Sequence, residues 1–133
     1  MILEQGLREY LLEVAPIAAL IRDRLFNMVR SPQSALPAVV IQRINTIRQV
    51  LFCGTDDLVN ADMQLDCYAI SPQDAWGLAA AVRAALVDFT GTMGDPAGVY
   101  VDQVTLTNER PLTDPDPGII RVIQLYNFWY LEA

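Results

Sequence analysis

Between residues 59 and 69 apolar and polar side chains alternate one by one, and two residues later a helix start is written. Ala61, Met63, Leu65 and Cys67 interleave with Asn60, Asp62, Gln64 and Asp66. A period of two places the first set on one face of a strand and the second on the other, so one face is apolar and the other polar and partly acidic. Ser71-Pro72-Gln73-Asp74 follows. Ser71 can take up free amides at a helix N-terminus, Pro72 suits the first helical position, and Asp74 suits the positive end of the helix. Ala75, Leu78, Ala79, Val82, Leu86 and Phe89 form a buried stripe in the helix expected over residues 71–89, which Gly91 and Gly94 end. The small alanines allow this helix to approach a sheet closely.

The rest of the chain fits around that strand–helix unit. Leu3, Leu7, Tyr10, Leu11 and Val14 follow helical spacing, with Glu4, Arg8, Glu9 and Glu13 opposite, and Pro16 interrupts the helix before a further turn over 17–21. Residues 26–37, with Asn, Ser and two Pro, read as an irregular connection. Val39-Val40-Ile41 is a β-branched strand, residues 47–52 a second, and Cys53-Gly54-Thr55-Asp56-Asp57 a turn by composition. Residues 99–108 and 119–130 form two more strands, joined over 109–118 by a loop with three Pro and one Gly. In the last strand alternation puts Trp129 on the face opposite Phe128 and Tyr130. The order α-β-β-β-α-β-β fits an α+β fold: a mostly antiparallel sheet with helices packed on one face, expected as a single domain over residues 1–133.

Composition narrows the function. The chain is 53% hydrophobic and 19% charged, too apolar for disorder. Its nine basic residues are all Arg, set against 16 acidic ones, for a net charge of −7. That balance argues against nucleic-acid binding through a basic patch. An Arg-only basic set suits forked ion pairs at subunit contacts. No stretch reaches the ~18 apolar residues of a membrane span, and the N-terminus lacks the pattern of a signal peptide, so a cytoplasmic, membrane-free protein is expected.

Chemistry has little to work with. There is no His and no Lys. Cys53 and Cys67 lack metal-ligand spacing and read as buried thiols, with a disulfide between them as the alternative, and no cofactor or metal site is expected. Asp62 and Asp66 lie ~13–14 Å apart along a strand, too far for a glycosidase carboxylate pair. Asp56-Asp57 and Asp114-Pro115-Asp116 read as turn residues and not as a calcium loop. No phosphate-binding glycine loop is present, and an enzyme is not expected. Both faces of the last strand carry large rings, which suits either a two-sided core strand or one face at a subunit contact.

Several stretches together resemble the tail-completion, or tail-terminator, family of long-tailed bacteriophages, prophages and gene-transfer particles. They are Arg24-Leu25-Phe26 with Pro32-Gln33 and Leu36-Pro37-Ala38-Val39-Val40-Ile41-Gln42-Arg43; Gln64-Leu65-Asp66-Cys67-Tyr68-Ala69; Ala79-Ala80-Ala81-Val82-Arg83-Ala84-Ala85-Leu86; and Asn108-Glu109-Arg110 with Pro115, Gly118, Arg121 and Phe128-Trp129-Tyr130. Order and spacing carry the resemblance more than any one stretch. Residues 45–52 depart from the family by being more apolar. The resemblance implies a homohexameric ring at the head-proximal end of the tail. Its partners would be the tail tube protein and the head–neck connector protein, with DNA passing through the hole without specific binding. A head–tail connector or tail-tube ring protein has the same profile, and a small cytoplasmic α+β ligand-binding oligomer or enzyme is the reading from another class. Asp56, Asp57, Asp62, Asp66, Arg110, Asp114, Asp116 and Trp129 are the candidate interface or channel-facing residues. For Asp62 and Asp66 two expectations stand: they face the channel, or they pair with Arg43 or Arg48 on an adjacent strand or subunit.

Overall fold

The computed structural model describes residues 2–30, 35–51, 54–94, 97–113 and 118–132. Helix α1 covers Leu3–Glu13 and α2 covers Ala15–Ile21, with Pro16 in the first turn of α2, where its missing N–H costs nothing. Strand β1 is Leu25–Asn27, β2 is Ala38–Leu51 and β3 is Gly54–Ala69. Helix α3 follows at Pro72–Leu86, then β4 at Gly91–Met93, β5 at Val99–Thr113 and β6 at Ile120–Leu131. The six strands form one sheet in the order β1-β2-β3-β6-β5-β4, antiparallel except for the parallel β1–β2 pair. The fold is α+β, as the sequence implies.

The capped helix forms as read. Ser71 Oγ accepts the Asp74 N–H at 3.2 Å, and Ala75, Leu78, Ala79, Val82 and Leu86 are buried. The alternating strand also forms: Ala61, Met63, Leu65 and Cys67 lie wholly buried under the helices. Tyr126, Phe128 and Tyr130 of β6 share that face. α1 lies so close to β4 that a Cβ on Gly6 would stand 2.8 Å from the Met93 carbonyl oxygen, which is why glycine occupies this helical position.

Several boundaries need correction. The irregular connection over 26–37 contains β1, held by Val39 N–H to Arg24 C=O and Met28 N–H to Ile41 C=O. The separate strands at 39–41 and 47–52 are one strand, β2, which absorbs two register shifts, between Arg43 and Asn45 and between Arg48 and Val50, and still keeps its pairing with β3. The expected turn over 53–57 is largely strand, since Gly54 pairs with Leu51 and Thr55 with Val50; Cys53 lies outside the described residues. Helix α3 stops at Leu86, and Asp88 turns the chain with φ 64°. Gly91 then opens a strand. β5 runs on to Thr113 through Pro111, shortening the 109–118 loop. Strand alternation aims the missing N–H of Pro111 away from β6, a position that only an edge strand offers.

Candidate assembly surface

The face of the sheet turned away from the helices carries a ladder of polar side chains. Cross-strand pairs on β3 and β6 are Asn60 with Trp129, Asp62 with Asn127, Gln64 with Leu125, Asp66 with Ile123, and Tyr68 with Arg121. The Asn60 and Asn127 amides bond each other at 2.7 and 3.1 Å, and Asn127 Nδ2 also donates to Asp62 at 2.8 Å. Gln64 Nε2 donates to one Asp66 oxygen at 2.9 Å, and Arg121 Nη1 stands 3.5 Å from the other. Arg121 and Arg30 both lie over the Tyr68 ring, at 5.8 and 5.0 Å from its centroid. Asp66 is 5% exposed. Burial raises its carboxyl above the ordinary value, against the opposing pull of the Gln64 bond and the Arg121 charge.

The helix-side face carries ion pairs at its borders. Arg43 bonds Glu4 of α1, the Tyr130 hydroxyl at 3.0 Å and Thr46 Oγ1 at 3.3 Å. Arg48 grips Glu132 with two bonds of 2.9 and 2.6 Å, and these hold the Glu132 carboxyl below its ordinary value. Arg83 of α3 makes a paired contact, 3.0 Å to each oxygen, with Glu109. Glu109 in turn accepts from the buried Gln124, whose side chain also donates to the Ala79 C=O and accepts from the Tyr126 hydroxyl. The three ion pairs are not legible in the sequence, because Arg43 and Glu4, Arg48 and Glu132, and Arg83 and Glu109 lie far apart in the chain.

The expected site residues scatter. Asp62, Asp66 and Trp129 share the open face at separate ladder positions, with Asp66 buried and the other two half-buried. Asp57 is exposed near the tip of the β2–β3 hairpin, its C=O bonded to the Glu132 N–H at 2.9 Å. Asp56 sits in the same strand. Arg110 is exposed on β5 opposite Ile123. Asp114 and Asp116 lie outside the described residues. Within the chain the expected pairing of Asp62 and Asp66 with Arg43 or Arg48 does not occur: those arginines bind Glu4 and Glu132, and Asp66 pairs with Arg121. The reason is facing, since Arg43 and Arg48 project to the helix side of β2.

This arrangement offers surfaces, with the buried polar groups tied up in ion pairs and amide bonds. Cys67 is buried with a raised thiol pKa, chiefly from desolvation. Among the described residues no cluster of His, Cys, Asp or Glu is placed to hold a metal ion, and no helix is long and apolar enough to cross a membrane.

A family model described as tail completion protein gp17 matches residues 5–131. The chain belongs to this tail-completion family. Membership places it among the structural components of phage-type tails. The fold is also similar to that of a chain in the virion of a native gene transfer agent particle, with a TM-score of 0.79 and 16% identity, covering 98% of this chain and 95% of that one. A comparison with curated proteins finds no match.

Proposed function

We propose that the chain, acting as one unit over residues 1–133, is a tail terminator. Six copies close into a ring on the head-proximal end of the tail tube, stop its polymerisation and present a surface to the head–neck connector. DNA passes through the hole without specific binding, and the protein's work is assembly and not catalysis. The observation that carries this reading is the family match over nearly the whole chain. The likeness to a virion chain supports it by giving the same fold at almost full coverage of both chains.

The open sheet face suits a wall that DNA must slide past. Asp62 and Asp66 are not bare charges, since Asn127 and Arg121 engage them. Their neighbours Asn60, Gln64 and Asn127 are neutral amides that form no ion pairs with phosphate. The test is electron microscopy of particles carrying a labelled copy of the chain. The label should sit in one ring between tail and head. Label spread along the tube would mean a tube protein, and label within the head vertex a connector.

A further inference from the structure

We infer that neighbouring copies join by edge-to-edge strand pairing, with β2 of one copy adding antiparallel to β5 of the next. This inference rests on the ring reading and names the contact that closes the ring. Its basis is two free stretches of sheet edge that match each other.

The first is on β2. Val39 and Ile41 turn their backbone groups outward to the segment around β1, and alternation through the bulge at Ile44 then turns out Arg43, Thr46 and Arg48. Among the described residues no backbone bond reaches this outer edge beyond Ile41. Ile44 and Ile47 flank it, each 53% exposed. A bare edge with β-branched residues is a template for another strand.

The second is on β5. Its start is covered by β4, and its Asp102 and Val104 carbonyls accept from Thr90 Oγ1 and the Asp88 N–H. Beyond that point, and through the register shift between Leu106 and Asn108, the outward groups belong to Leu106, Glu109 and Pro111. Nothing described covers them. Each edge therefore offers three outward residues in successive ladder positions. Run antiparallel, Arg48, Thr46 and Arg43 of one copy meet Leu106, Glu109 and Pro111 of the next. Pro111 contributes only a carbonyl, and every other outward group finds a partner.

Polarity and geometry both allow the sheet to continue. β2 and β6 run one way and β3 and β5 the other, so copies related head to tail bring β5 against an oppositely directed β2. Within one copy Thr46 stands level with Val104, through Ala61 and Phe128. Pairing it with Glu109 of the neighbour offsets each copy by four ladder positions, about 13 Å, against a width of four strands, about 19 Å. The strands would then incline by about 35° to the ring axis, within the tilt that closed sheets adopt. The helices all lie on one side of such a wall, and the amide-rich face lines the other.

The test is a disulfide placed across the proposed seam. In this register Ile47 of one copy faces Asn108 of the next as a non-hydrogen-bonded pair, whose Cα atoms lie about 4.5 Å apart, within disulfide reach. The double variant Ile47→Cys with Asn108→Cys should give, after mild oxidation, a ladder of covalent oligomers ending at the ring, while either single variant gives none. Amide exchange on the unmodified chain in purified particles is the companion measurement. Thr46, Arg48, Leu106 and Glu109 should exchange on the order of 100-fold more slowly than in the free chain. Rings without the ladder and without that protection would overturn the seam and leave the ring reading standing. Absence of rings, both in solution and on tail tubes, would overturn both.

Discussion

Arg121 reaches the Asp66 carboxylate at 3.5 Å on the sheet face turned away from the three helices, yet Asp66 is almost wholly buried. Gln64 and Arg121 engage its two oxygens, and its cross-strand neighbours Val40 and Ile123 are buried beside it. A carboxyl so placed is desolvated, which favours its protonated form.

Asp66 should therefore titrate above the ordinary aspartate value of 3.8 in the folded chain. The folded chain holds this proton more tightly than the unfolded one, so protonation of Asp66 favours folding. That contribution is present in full below the unfolded pKa and is lost as pH rises through the folded one. Arg121→Gln should raise the value further, because Arg121 favours the charged form. Carboxyl NMR against pH measures both. An Asp66 value at or below 3.8 in the native chain would refute the burial argument.

Cys67 should resist alkylation in the folded chain, even at pH 9. Burial removes access, and desolvation keeps the thiol protonated far above the ordinary range. Labelling followed by peptide mapping should show modification of Cys67 only after denaturation. Rapid native labelling of Cys67 would contradict the packing of β3 under α3.

Gly6→Ala should cost about 1–3 kcal/mol despite the helical gain from alanine, because the new methyl meets the Met93 carbonyl at 2.8 Å. Ser71→Ala should cost about 1 kcal/mol by freeing the Asp74 amide. Denaturant melts compare the two. A Gly6→Ala chain as stable as the parent would mean that α1 and β4 do not touch as described.

Asp62→Arg separates the two roles of the open face. If that face lines the channel, rings and tails should form normally while DNA delivery falls on the order of tenfold, since Arg attracts phosphate. Loss of the rings themselves would place Asp62 at a subunit contact instead. Asp66 is unsuited to this test, because its burial makes any large cation there a folding defect.

Parts of this structure are legible in the sequence. The alternation across Ala61, Met63, Leu65 and Cys67 and the Ser71 cap are local signals, and the buried face and the helix start follow from them, while the strand begins earlier, at Gly54, and the helix ends earlier, at Leu86. The opposed facing of Trp129 and Phe128 follows from alternation too. β1 has no sequence signal, because three residues carry no period, and only the pairing with Val39, Val40 and Ile41 makes them a strand. Thr55 looks like a turn residue, but Val50 of β2 supplies its partner, and pairing outweighs propensity; Asp57 is held from the other side, by the Glu132 N–H. Asp66 looks like surface because its own strand cannot reveal that Arg121, 55 positions later, lies beside it. The Arg43–Glu4 and Arg48–Glu132 pairs were hidden for the same reason.

The most direct measurement is the length of tails made without this chain. Particles assembled from a genome in which it is deleted should show tubes of uncontrolled length with no heads attached. Resupplying the chain should restore one length and the join, and the isolated rings should weigh about 89 kDa, six times the 14.8 kDa chain. Tails of uniform, normal length in the deletion would contradict the terminator account, whether or not heads were joined to them.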